Sequence, residues 1–163
     1  MKSFVVLYGL PGSGKTTLAA AIAKRAGFYY ADMGADPRFG KLPMWRLAFA
    51  LAMEQARGRS VVTEGVLAAR EHRDIFMKQI SAGIGAQRVA VFHILEPMSA
   101  LVERRPHFAR KPPTVQIEPG SDLFPHYVID AAEYPSVESR VAFVAERLDG
   151  DMHHPSSHLG LSR

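Results

Sequence analysis

Cysteine is missing from all 163 residues. The chain can therefore form no disulfide, no cysteine-ligated zinc site and no thiol nucleophile. That composition suits a reducing compartment, and a cytoplasmic location is expected. Also missing is any run close to the roughly 20 apolar residues that a membrane-spanning helix needs. The apolar stretch from Phe4 to Tyr8 is too short for the core of a signal peptide and leads straight into a glycine-rich turn. It reads as a strand, and a soluble chain with no membrane partner is expected. Tryptophan occurs once, as Trp45, and reads with the methionines as packing and not as a platform for stacked bases. The seven histidines show neither a metal-ligand spacing nor a nucleophilic triad. His93 reads as a core residue, and His153, His154 and His158 fall near the end of the chain.

The length suits one domain, and 47% hydrophobic residues can fill one core. A formal charge of +4 and a pI near 9.6 favour anionic ligands but fall short of a nucleic-acid-binding composition.

Nearly continuous apolar runs at Phe4–Gly9, Phe28–Asp32, Ser60–Glu64, Arg88–Leu95 and His126–Asp130 predict five strands, in the pattern of a parallel sheet covered on both faces. Helical spacing predicts helices over Thr16–Ala26, Leu42–Arg57, about Ala69–Ser81, a short one from Pro97 to Arg105, and one after Ser136. The last of these has Val137, Val141, Val144 and Leu148 on its buried face. Residues Pro106–Pro125 hold five of the eleven prolines and no periodicity, which suggests a binding loop or lid. One domain over residues 1–149, a lid at about 104–125 and a disordered tail over 150–163 are expected.

The strongest chemical signal is Gly9-Leu10-Pro11-Gly12-Ser13-Gly14-Lys15-Thr16, the G-x-x-x-x-G-K-[ST] pattern, placed between a predicted strand and a predicted helix. Glycines let backbone N–H groups turn inward around a phosphate, and the following helix adds its positive end. In this reading Gly9, Pro11, Gly12, Ser13, Gly14, Lys15, Thr16 and Thr17 hold the nucleotide. Lys15 reaches the β- and γ-phosphates and the Thr16 hydroxyl faces Mg²⁺.

On these residues, GLPGSGKTT above all, the sequence resembles the P-loop kinase superfamily between about Ser3 and Leu148. It is similar in particular to small bacterial ATP-binding proteins akin to polynucleotide kinase, chloramphenicol phosphotransferase, and the gluconate and shikimate kinases. The resemblance implies an α/β, three-layer fold whose five-stranded parallel sheet has the order 2-3-1-4-5, with the site at the carboxyl ends of the strands. It also implies ATP and Mg²⁺, and transfer of the γ-phosphoryl group to a hydroxyl. That hydroxyl belongs to a nucleoside or polynucleotide 5′-end, a sugar acid or an antibiotic.

A carboxylate within reach of the acceptor hydroxyl can orient it and accept its proton. Asp32 is the favoured base and Asp36 the alternative. Glu64, closing the third strand, resembles the acid that holds Mg²⁺ through water, and a substrate contact is the other reading. Arg38, Arg70 and Arg73 are substrate-handling candidates. Arg104, Arg105, Arg110 and Lys111 surround the proline-rich segment, and at least one, with Arg104 and Arg110 as candidates, stabilises the transferred phosphoryl. Asp130 reads as a turn residue. Two other readings stand beside this one. In a nucleoside monophosphate kinase, Arg38, Arg70 and Arg73 would clamp a phosphate acceptor. In a nucleotide-dependent switch, a partner would replace the acceptor. No Asn-Lys-x-Asp guanine signature is present, and no obligatory protein partner is evident.

Overall fold

The computed structural model describes residues 1–32 and 58–150. Over these residues the chain forms β1 (Ser3–Tyr8), α1 (Lys15–Ala26), β2 (Tyr29–Ala31), β3 (Val61–Gly65), α2 (Arg70–Ile84), β4 (Arg88–Leu95), α3 (Met98–Arg104), a 3₁₀ turn (Pro106–Ala109), β5 (His126–Asp130) and α4 (Val137–Gly150). The expected helix over Leu42–Arg57 lies outside the described residues, as do Asp36, Arg38, Trp45 and residues 151–163.

The five strands form one parallel sheet in the order β2-β3-β1-β4-β5. Alternation along β1 explains its layers. Phe4, Val6 and Tyr8 face Phe76, Met77, Ile80 and Ile84 of α2, with Ile117 and Phe124 packed beside them. Val5 and Leu7 face Leu18, Ala19 and Ile22 of α1, and Phe143, Val144 and Leu148 of α4. Both faces are thus covered, which is why the strands carry so few polar residues.

The helix limits follow local chemistry. Gly27 ends α1 with φ 68°, a left-handed conformation open to glycine. Ser136 and Ser139 cap α4 reciprocally: the Ser139 N–H donates to Ser136 Oγ at 3.0 Å and the Ser136 N–H to Ser139 Oγ at 3.2 Å. The buried stripe of α4 is Arg140, Phe143, Val144 and Leu148, shifted from the expected one because Phe143 fills the space beside Phe92. Asp130 closes a turn after β5, accepting the Ala132 N–H at 2.8 Å.

The stretch from Pro112 to Pro125 has no helix or strand and runs from the 3₁₀ turn to the start of β5. Along it Pro113, Val115 and Ile117 are half-buried while Thr114 and Gln116 are exposed. Ile117 and Phe124 pack against the cluster that includes Val91 of β4, while Val128 of β5 stays exposed. Because β1 is central, with β3 on one side and β4 on the other, the loop after β1 stands where neighbouring connections diverge, and that divergence opens a crevice.

Candidate active site

The loop between β1 and α1 is set by close backbone approach. At Gly9, φ is +155° and a Cβ would lie 2.7 Å from the Ile94 carbonyl oxygen of β4, so only glycine lets β1 turn there. Gly14 precedes α1 at φ 87°, with no side chain capping the helix. The first-turn N–H groups of α1 therefore point into the loop with no intrahelical acceptor. Lys15 is buried, and its ammonium donates to the Leu10 carbonyl at 2.8 Å and contacts Ser13 Oγ at 3.5 Å. Burial holds its pKa below the usual lysine value, the Glu64 charge opposes that shift, and the Arg105 charge adds to it.

Two acids arrive from neighbouring strands. Glu64, near the end of β3, accepts the Thr16 hydroxyl at 3.0 Å and the Tyr30 hydroxyl at 3.2 Å, both on Oε1. Burial and then the negative charges of Glu64 and Asp32 raise the Tyr30 pKa, so Tyr30 remains a neutral donor. The half-buried Asp32 directly follows β2. A hydroxyl and a carboxylate 3.0 Å apart beside a phosphate loop are the hard oxygen donors that Mg²⁺ takes, with its remaining positions left to water and phosphate oxygens. Among the described residues no group of three or more histidines and acids could hold a metal ion by itself.

The arginines part company. Arg104 donates to the Gly12 carbonyl at 2.9 Å and to Glu96 Oε1 at 3.1 Å. Arg105 stands beside it, its Nε 3.1 Å from where a Gly12 Cβ would be. Both line a cavity of about 440 Å³ over the loop, together with Lys15, Thr17, Pro135 and Arg140. Arg110 is exposed on the turn beyond, so the arginine that joins Arg104 at this cavity is Arg105 and not the expected Arg110. Arg70 and Arg73, expected to face an acceptor together, diverge. Arg70 is exposed and pairs with Asp122 at 3.5 Å. Arg73 is fully buried, and its guanidinium donates to the Leu67, Glu118 and Gly120 carbonyls. Residues three apart on a helix share a face only broadly, and here one points into the core.

Several site residues carry no motif. Glu96 is buried and accepts both Arg104 and Arg140. Tyr8 precedes the loop. Its ring stacks on His93 with centroids 4.6 Å apart, and its hydroxyl meets His126 Nε2 at 2.7 Å and takes the Gly120 N–H at 3.1 Å. Asp74 accepts the Ser121 hydroxyl and, at 2.8 Å, the Asp122 N–H. The one signal available for Glu96 was position: it follows β4 directly, as Asp32 follows β2.

The same fold recurs among known proteins. The family model described as "ATPase family associated with various cellular activities (AAA)" matches residues 5–84, from β1 through the phosphate loop to the end of α2. No curated protein matches the chain in sequence. Among solved structures, a gluconokinase from Sinorhizobium meliloti 1021 is 20% identical with a TM-score of 0.60, covering 93% of this chain and 98% of that one. The APS kinase CysC of Mycobacterium tuberculosis, in a mutant form, is 17% identical with a TM-score of 0.61, covering 91% and 97%. A fungal RNA kinase is 11% identical with a TM-score of 0.59, covering 97% and 93%. The chain shares the three-layer α/β P-loop fold of these structures.

Proposed function

We propose that this chain is a Mg²⁺-dependent kinase that transfers the γ-phosphoryl group of ATP to a hydroxyl of a small molecule or of a nucleic-acid end. The observation that carries this reading is the meeting of Thr16 and Glu64 beside the buried Lys15. A phosphate loop alone binds phosphate, and the added hydroxyl–carboxylate pair is what phosphoryl transfer needs at that place.

In this reading the loop N–H groups and Lys15 bind the β- and γ-phosphates. Mg²⁺, held by Thr16 and through water by Glu64, would neutralise phosphate charge when bound. Asp32 orients the acceptor hydroxyl and takes its proton as the new O–P bond forms, and the bond from the γ-phosphorus to the β–γ bridging oxygen breaks to release ADP. Arg104 and Arg105 stabilise negative charge from the other wall of the cavity. A nucleoside monophosphate acceptor is the weaker reading. Arg73, one of its three candidate clamps, is already taken up by carbonyls, and the Asp32 and Glu64 charges beside Tyr30 favour a neutral hydroxyl over a phosphate. ATP chemistry in a cysteine-free chain suits the cytoplasm.

The test is thermal stabilisation by ATP with Mg²⁺, followed by γ-labelled ATP with nucleosides, oligonucleotides bearing free 5′-hydroxyls, sugar acids and aminocyclitols. A labelled acceptor supports the kinase and names its substrate class. Label found only in inorganic phosphate across that panel turns the reading toward a switch.

A further inference from the structure

Glu96 is the first residue after β4, and its side chain is only 2% exposed. A carboxylate so placed loses most of its hydration and stays charged only when it is paired and hydrogen-bonded. Here one oxygen, Oε1, receives two guanidinium groups from different helices: Arg140 of α4 at 2.9 Å and Arg104 of α3 at 3.1 Å. The two arginines differ in freedom. Arg140 is nearly as buried as Glu96 and is fixed further by donating through Nε to the Tyr134 carbonyl at 2.8 Å. Arg104 is about half exposed, with 47% of its side chain open, and its other nitrogen reaches the Gly12 carbonyl of the phosphate loop at 2.9 Å. A chain of bonds thus runs from the Tyr134 carbonyl through Arg140, Glu96 and Arg104 to Gly12.

We infer that Glu96 is a positioning residue. Anchored from below by Arg140, it aims Arg104 across the phosphate loop and so sets the wall against which the polyphosphate lies. This rests on the nucleotide-binding reading above and adds to it a residue that touches neither ATP nor acceptor. Alone, Arg104 is a long side chain with many rotamers and a single carbonyl to hold it. The buried carboxylate removes that freedom before the ligand arrives, which lowers the ordering cost of binding. Arg140 and Arg104 both line the cavity, so the hub also joins α4 to α3 across it.

The test is a double-mutant cycle read by the Kd for MgATP, with the melting temperature of the unliganded protein measured in parallel. Glu96→Gln and Arg104→Gln are each expected to weaken binding about tenfold. The double variant is expected to be no weaker than Arg104→Gln, because Glu96 acts through Arg104. A merely structural Glu96 would lower the melting temperature and leave the two effects on Kd independent, so a double variant near a hundredfold overturns the inference. So does a Glu96→Gln protein that binds within twofold of the wild type. Should Glu96→Gln not fold, Arg104→Lys serves. It keeps the charge and the Glu96–Arg140 pair but cannot span Gly12 and Glu96 together. A tenfold loss at unchanged melting temperature supports the inference, and wild-type affinity overturns it. Wild-type protein that fails to bind MgATP removes the nucleotide reading itself, whereas bound ATP without any labelled acceptor removes only the transfer step.

Discussion

Arg73 sits over the ring of Tyr8, its guanidinium carbon 3.8 Å from the ring centroid. The contact joins α2 to the last residue of β1, directly before the phosphate loop, and burial lowers the Arg73 pKa while the nearby Tyr8 and Asp74 oppose that shift. Stacking on an aromatic face together with bonds to carbonyls is an arrangement that arginine supports and lysine does not.

Arg73→Met should therefore behave as a core lesion. It leaves three carbonyls without their donor and should cost about 3–5 kcal/mol of unfolding free energy. Urea unfolding measures this, and limited proteolysis should show cleavage near Glu118–Asp122. Arg70→Ala removes only a surface pair and should cost less than about 1 kcal/mol. If Arg70 serves the acceptor, its variant raises the acceptor KM with stability unchanged.

Glu64→Gln keeps the size of the side chain and removes the charge beside Thr16. Phosphoryl transfer in Mg²⁺ should fall about a hundredfold or more. Nucleotide binding measured in EDTA should change by no more than about twofold, since the loop N–H groups and Lys15 remain. Equal losses in both conditions would place Glu64 in the loop's folding and outside metal chemistry.

Acid should loosen the fold through His93. Burial first, then the His126 and Arg73 charges, lower its pKa from 6.5 to about 4. His93 stacks on Tyr8, and His126, itself held low by burial and by Arg73, completes the cluster. The unfolded chain takes up the proton near its ordinary pKa and the folded chain only near pH 4, so this contribution is complete above about 6.5 and is lost as pH falls toward 4. After allowance for partial solvent access it amounts to about 2 kcal/mol. Urea midpoints at pH 7.5 and 4.5 should separate more for the wild type than for His93→Gln. Parallel shifts would show that other groups govern acid sensitivity.

Gly9→Ala should abolish nucleotide binding, because the new methyl meets the Ile94 carbonyl oxygen, a backbone atom that cannot swing aside. Gly27→Ala meets nothing within 4 Å and should cost only the left-handed strain of about 1–2 kcal/mol. Isothermal titration with ATP distinguishes the two.

What the sequence disclosed follows from how locally each feature is encoded. The turn from β1 into α1 needs glycines at fixed offsets, so the place of that loop between a strand and a helix was legible, and continuous apolar runs marked every described strand. The Thr16–Glu64 meeting could be anticipated because acids at strand ends converge wherever parallel strands end together. The Glu96–Arg140 pair could not, since an arginine on an amphipathic helix reads as solvated. Arg73 was misplaced for the same reason: helical spacing fixes which residues share a face and not which side of a charged first turn points inward. His93 was expected in the core and proves half-buried, because β4 ends at the rim of the sheet beside a second cavity of about 250 Å³.

The segment after α3, which begins with the 3₁₀ turn, is tied at both ends. Arg104 fastens one end to Gly12, while Arg73 and Asp74 fasten the other at Glu118–Asp122. What lies between is a strap of about a dozen residues that carries Arg105, Arg110 and Lys111. Between those ties Phe108 is buried and Ile117 packs against the core, so Arg105 is kept beside Gly12 by anchors on either side of it.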